Sequence, residues 1–171
     1  DNCAGFTLAP TPNSFTCANL GVNSVTLTVT DASGNISTCT ADVTVEDTVD
    51  PTAVCQNITV QLDAAGNASI TAADVDGGST DNCSVTVTAT PLTFTCANVG
   101  ANSVTLTATD QSSNTDNCTA TVTVEDNIDP TAVCQNITVQ LDANGDLTLT
   151  SASIDGGSTD NCGVASVTID G

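Results

Sequence analysis

Two kinds of side chain in this 171-residue chain are equipped for chemistry, carboxylates and thiols. Twenty residues are acidic, all of them Asp except Glu46 and Glu125, and nine are cysteine. Lys, Arg and His are absent, which leaves a formal net charge of −20. Nucleic-acid binding needs cations that displace counterions from phosphate, and docking on anionic lipid needs the same, so neither is expected. Catalysis through His, Lys or Arg is impossible, and no apolar pocket that would raise one carboxylate of an acid–base pair is legible; the chain reads as a non-enzyme. A preference for Asp over Glu suits tight turns and loops that hold hard cations. The thiols lack a CxxC pair and a His, which argues against zinc, and their number points to a disulfide framework made in an oxidising compartment. The expected location is extracellular.

These residues recur at a fixed period. Val45–Asp63 returns as Val124–Asp142 with only Thr48/Asn127 and Val49/Ile128 changed, an offset of 124 − 45 = 79 residues. Cys17, Cys39, Cys55 and Cys83 are followed at that offset by Cys96, Cys118, Cys134 and Cys162, and Cys3 precedes Cys83 by 80. A period of this length indicates an array of similar units. The expected division is a C-terminal half unit at 1–48, a complete unit at 49–127 and an N-terminal half unit at 128–171.

The complete unit alternates with period two and shows no helical period. Strands are predicted at Val54–Leu62, Ala68–Ala72, Cys83–Thr90, Leu92–Cys96, Ser103–Thr109 and Cys118–Val124, with a break at Pro91 and turn-forming loops at 63–67, 74–82, 98–102 and 110–116. Val104 and Leu106 face inward on one strand, Val122 and Val124 on another. Short strands between turns argue for an all-β fold, tandem immunoglobulin-like β-sandwich domains. The core is light, with Phe94 the complete unit's only aromatic residue, so disulfide staples are expected to supply stability.

The four cysteines of the unit allow three pairings. The expected ones are Cys55–Cys118, at the starts of the first and last strands, and Cys83–Cys96, across the Pro-broken hairpin. They would contribute about 4 and 3 kcal/mol by the loop-entropy model. Cys3–Cys17 is expected by the same logic. Cys39, Cys134 and Cys162 are then left with partners outside this segment. Either the chain continues at both ends or a neighbouring copy supplies the missing strands, joining Cys39 of one copy to Cys134 of the next. In the first case Cys162 would bond a cysteine about 13 residues downstream, by analogy with Cys83–Cys96.

Ser79-Thr-Asp-Asn-Cys83, Asn102–Asp110, Cys118–Asp126, Asp129-Pro130 and Cys134–Val139 resemble the hyalin-repeat (HYR) family, in particular the hyalin-like arrays of giant Bacteroidota cell-surface and adhesion proteins. The resemblance extends over the whole chain and implies an extracellular immunoglobulin-like fold in a stalk or adhesin. The Trp usual on the second strand is absent, and Cys83 and Cys96 are additions to the plainest members. Asp47-Thr48-Val49 is similar to the short O-glycosylation motif of that phylum, which makes Thr48 a candidate modification site.

In a tandem sandwich the last strand of one unit ends near the loops of the next. Glu46, Asp47 and Asp50 are therefore expected to meet Asp74, Asp76, Asp81, Asp110 and Asp116, with Asp74 the weakest member because its counterpart is Ser153. Glu125, Asp126 and Asp129 are expected to meet Asp155 and Asp160. Such clusters suit Ca2+. Asp142-Ala-Asn-Gly-Asp146 opens like a calcium loop but lacks Gly at the sixth position and the closing Glu, and reads as a hairpin turn. Asn-X-Ser/Thr sequons at Asn35, Asn57, Asn67, Asn82, Asn117 and Asn136 are what a Thr-rich chain produces by chance. The sequence supports a structural repeat module of an extracellular stalk, fibre or filament, stiffened by disulfides and Ca2+ at the junctions. Its partners would be neighbouring repeats and other copies, with no nucleic acid and no membrane insertion. The alternative is an adhesin module that contacts glycan or ice through its loops or its Thr-X-Thr faces (Thr26, Thr28, Thr30; Thr105, Thr107, Thr109).

Overall fold

The computed structural model describes residues 5–169. The fold is mostly β, stapled by three disulfides, and separates into two compact units. The first contains the chain up to Thr52, Ser79–Thr86 and Ala108–Asp116; the second contains Ala53–Gly78, Val87–Thr107 and the chain from Asn117 onward.

The first unit is built on an antiparallel sheet of β1 (Phe6–Thr11), β2 (Gly21–Asp31) and β3 (Ile36–Val45), in that order. Phe6 faces Asp31 across β1–β2, and Gly21 faces Val45 across β2–β3. Asp31 closes the β2–β3 hairpin. Its Oδ1 accepts from the backbone N–H of Ser33 and Asn35, and its Oδ2 accepts from Asn35 Nδ2. Gly34 supplies the left-handed residue, at φ +86°, where a Cβ would be strained.

The second unit holds the main core. Its larger sheet has the order β4 (Ile58–Gln61), β9 (Thr115–Glu125), β8 (Gly100–Asp110), β6 (Val85–Thr90). The ends of β6, β8 and β9 are grouped with the first unit. A two-stranded sheet pairs β5 (Asn67–Ser69) with β7 (Thr93–Thr95). Alternation does what the sequence predicts: Val104, Leu106, Val122 and Val124 are buried with Phe94, Leu62, Ile70, Val75 and Ala120, while Thr105 and Thr121 are exposed. β4 runs parallel to β9, from Ile58 opposite Val122 to Gln61 opposite Glu125.

Two expectations are corrected. One-turn helices occur at α1 (Ala72–Val75) and α2 (Ser151–Ile154), where only strand or loop is expected. Asp74 Oδ2 accepts from both the backbone N–H and the hydroxyl of Thr71, at 2.7 and 2.8 Å. This reciprocal cap sustains a single turn, too short for a 3.6-residue period to register. The second correction concerns β6 and β7, which flank Pro91 but do not pair. They belong to different sheets, so the hairpin behind the Cys83–Cys96 expectation does not exist.

Candidate metal centre

The disulfides follow that topology. Cys55–Cys118 forms as expected, with Cα atoms 5.8 Å apart. Cys83 bonds Cys17 and Cys96 bonds Cys162, each across 66 residues with Cα atoms 5.3 Å apart. This overturns Cys3–Cys17, Cys83–Cys96 and a downstream partner for Cys162. Cys3 itself lies outside the described residues. Cys39 and Cys134 are free and exposed. Three disulfides mark a protein that folds in an oxidising compartment rather than the cytosol. No helix among the described residues is long and apolar enough to cross a membrane.

In the first unit Asp47, Asp81 and Asp110 converge, with one carboxylate oxygen from each within 4.8 Å of the others. Asp47 lies just beyond β3, Asp110 is the last residue of β8, and Asp81 lies in the loop before β6, two residues from the Cys17–Cys83 bridge. Asp47 and Asp110 are only 9% and 7% exposed.

Each carboxylate is held by donors on one side. Asp47 Oδ1 accepts from Val49 N at 3.1 Å and Asn82 Nδ2 at 3.2 Å. Asp81 Oδ2 accepts from the backbone N–H of Cys83 and Ser84 at 2.9 and 3.1 Å. Asp110 accepts from Asn114, backbone N–H on Oδ1 and side-chain amide on Oδ2, both at 2.7 Å. The same Asn114 amide reaches Asp47 O at 3.1 Å, so one side chain ties two of the acids together.

The opposite side of the site is bare. Asp47 Oδ2 and Asp81 Oδ1 are buried with no hydrogen-bond donor. A buried polar atom without a partner is costly, and three close carboxylates repel one another. No Lys, Arg or His exists to relieve either effect. The all-oxygen donor set suits a hard cation. Two ligands on opposite sides of Ca2+, each at about 2.4 Å, stand about 4.8 Å apart, so the cluster fits inside one calcium shell.

The second unit repeats half of this arrangement. Asp126 Oδ1 accepts from Ile128 N at 3.2 Å and Asn161 Nδ2 at 3.0 Å, and Asp160 Oδ2 accepts from Cys162 N at 2.9 Å. Asp160 Oδ1 and Asn161 Oδ1 are buried without a partner. A third carboxylate is missing among the described residues.

The remaining predicted ligands do other work. Glu46, Asp50 and Asp129 are exposed. Glu125 accepts from Gln61 Nε2 at 2.7 Å, and Asp76 Oδ1 accepts from Gly78 N at 3.2 Å. Asp155 Oδ1 accepts from the Ser158 hydroxyl at 2.7 Å, a bond that holds its carboxyl below the ordinary range. Asp74 is lowered by the Thr71 backbone N–H it accepts from. Asp142 accepts from Asp146 N and Asn144 N, the former lowering it most, and closes a tight turn, but no strand flanks it among the described residues, so the expected hairpin is not formed. The asparagines that orient the acids escape the sequence reading. Their signals are the Asp-Asn pairs at 81–82 and 160–161 and the Asp-x-x-x-Asn turns at 31–35 and 110–114. In comparisons with known proteins, no family model and no curated sequence matches this chain.

Proposed function

We propose that this chain is a structural module of an extracellular stalk or filament, made of immunoglobulin-like sandwich units of hyalin-repeat type. Disulfides hold it together, and Ca2+ is bound by Asp47, Asp81 and Asp110. The observation that most supports the reading is the pair of buried, donorless oxygens on Asp47 and Asp81 in a chain without side-chain cations. The ion would supply the missing counter-charge at the end of β3, where the chain leaves one sheet and enters the next segment. Thr52–Thr80 bridging and the Cys17–Cys83 bond fix the loop that carries Asp81, so the ligand positions are set before an ion arrives.

Calcium titration tests this. An ion that binds only the folded state at 100 times its dissociation constant adds about 2.7 kcal/mol, which raises the melting temperature by roughly 5–10 °C. Asp81→Asn keeps an oxygen for the Cys83 and Ser84 N–H groups but removes the charge, and is expected to abolish the calcium response while leaving the calcium-free melting temperature near wild type. A wild-type melting temperature indifferent to calcium overturns the reading.

A further inference from the structure

β3 ends its sheet. Its only strand partner among the described residues is β2, and its other edge is open. The corresponding strand β9 has that edge filled by β4, in parallel and in register. From Cys39 to Glu46 and from Cys118 to Glu125 the sequences are the same except for Asp42/Thr121. The segment that fills the edge, Val54–Leu62, is repeated without change as Val133–Leu141. In the first copy Ile58–Gln61 of this segment forms a strand and Leu62, just after it, is 4% exposed; in the second no strand forms, and Leu141 is 65% exposed. Ile137 and Val139 are exposed beside it. The chain thus carries an unfilled edge and, separately, an unused strand with the sequence that fills such an edge. The thiols match: Cys39 corresponds to Cys118 and Cys134 to Cys55, the two halves of an existing disulfide, and both are free.

We infer that a second copy of this chain docks on the open edge of β3, inserting its residues 133–141 as a parallel strand and bonding its Cys134 to Cys39. The existing pair fixes the register: Ile137 opposite Val43, Thr138 opposite Thr44, Val139 opposite Val45, Gln140 opposite Glu46. Thr121 N donates to Asn57 Oδ1 at 2.7 Å and Gln61 Nε2 to Glu125 Oε2 at 2.7 Å, so Asp42 N would donate to Asn136 Oδ1 and Gln140 Nε2 to Glu46. The described residues carry both the β3 edge and, separately, the segment that fits it, which makes the contact heterologous and repeatable, and the product a linear polymer. Main-chain pairing along the edge supplies affinity, and the disulfide makes it permanent. The covalent step needs a small-molecule disulfide as oxidant. The two cysteine thiols lose two electrons and two protons to form one S–S bond, and the oxidant leaves as two thiols. The inference gives the filament reading its partner, but it uses residues distinct from the metal centre.

The test uses the 171-residue chain with Cys3→Ser, so that Cys39 and Cys134 are the thiols left outside the three bridges. Under oxidised glutathione, a non-reducing gel is expected to show a ladder at multiples of 16.9 kDa that collapses on reduction. Asp-specific digestion is expected to yield a Cys39–Cys134 peptide. Cys39→Ser and Cys134→Ser should each stop the ladder alone and form a dimer when mixed, because each supplies the half the other lacks. Val139→Asp keeps both thiols but spoils the strand, and should slow ladder formation at least tenfold. A monomer that retains both thiols, a Cys39–Cys39 link, or an unaffected Val139→Asp ladder overturns the inference. Running the assay in calcium and in chelator separates the two readings: a normal calcium shift in melting temperature without a ladder defeats this inference and spares the metal centre.

Discussion

β2 and β8 are nearly the same strand in different circumstances. GVNSVTLTVTD and GANSVTLTATD differ only at Val22/Ala101 and Val29/Ala108. Yet Val104, Leu106 and Ala108 are fully buried, whereas on β2 Val25 is the only buried hydrophobic residue and Leu27 is half-buried. β3 and β9 repeat the contrast, with Val122 and Val124 buried where Val43 and Val45 are partly open. The alternating pattern decides which side chains share a face; whether that face becomes a core depends on what covers it. For β8 and β9 the cover comes from β4, the β5–β7 pair and α1, through Leu62, Ile70, Phe94 and Val75. Local sequence specifies the sheet in both regions, and non-local segments decide whether its apolar face is buried.

The largest expected effect follows from that contrast. Leu106→Ala removes a buried side chain and should cost about 2–5 kcal/mol. Leu27→Ala, at the equivalent position, should cost under about 1 kcal/mol, in the range of surface changes. Urea unfolding of both variants checks this. Equal losses would break the comparison, because they would mean that β2 is as well covered as β8.

The same contrast sets how far the sequence could be read. Period-two alternation reports on a strand's own two faces, so the inward set Val104, Leu106, Val122 and Val124 is legible in it, whereas the parallel approach that brings Cys55 to Cys118 follows from the expected sandwich fold. Pairing between distant strands leaves no such mark. Cys83 and Cys96 are close in sequence, but β6 and β7 enter different sheets, so each thiol meets a residue 66 positions away. The acids show the other limit. Composition announces carboxylates and turns, but an Asp that caps its own turn, as Asp74, Asp142 and Asp155 do, looks the same in sequence as one aimed at a shared centre. Only the positions that topology brings together, Asp47, Asp81 and Asp110, separate themselves.

A smaller effect comes from the two hairpin turns. Asp31-Ala-Ser-Gly-Asn35 and Asp110-Gln-Ser-Ser-Asn114 use the same carboxylate–asparagine bonds. At the left-handed position one has Gly34, at φ +86°, and the other Ser113, at φ +74°. A non-glycine residue there costs roughly 1–2 kcal/mol, partly offset by the greater freedom glycine has when unfolded. Ser113→Gly should therefore stabilise by roughly 0.5–1 kcal/mol, and Gly34→Ser should destabilise by a similar amount. Thermal melts of the two variants sharpen the comparison; a destabilising Ser113→Gly would show that the serine makes a compensating contact.

The smallest effect separates what the two turn aspartates do. The Asn35 side-chain amide, with backbone N–H groups after it, holds Asp31 below its ordinary pKa of 3.8. A carboxyl lowered in the folded state adds stability above its unfolded value, and that stability is lost as the pH falls through the lowered folded value. Asp31 is only partly covered and solvent screens its carboxylate, so the contribution is small. Asp31→Asn should lower the melting temperature slightly at neutral pH and flatten its decline on the acid side, the two curves converging once the pH has fallen below the lowered folded value. It should leave the calcium response intact. Asp110→Asn disturbs the equivalent turn and also removes a carboxylate from the proposed metal centre, so it should lose the calcium response at neutral pH. Melting curves across pH, with and without calcium, compare the two variants directly. Equal loss of the calcium response in both would mean that the hairpin, and not the cluster of acids, governs the ion.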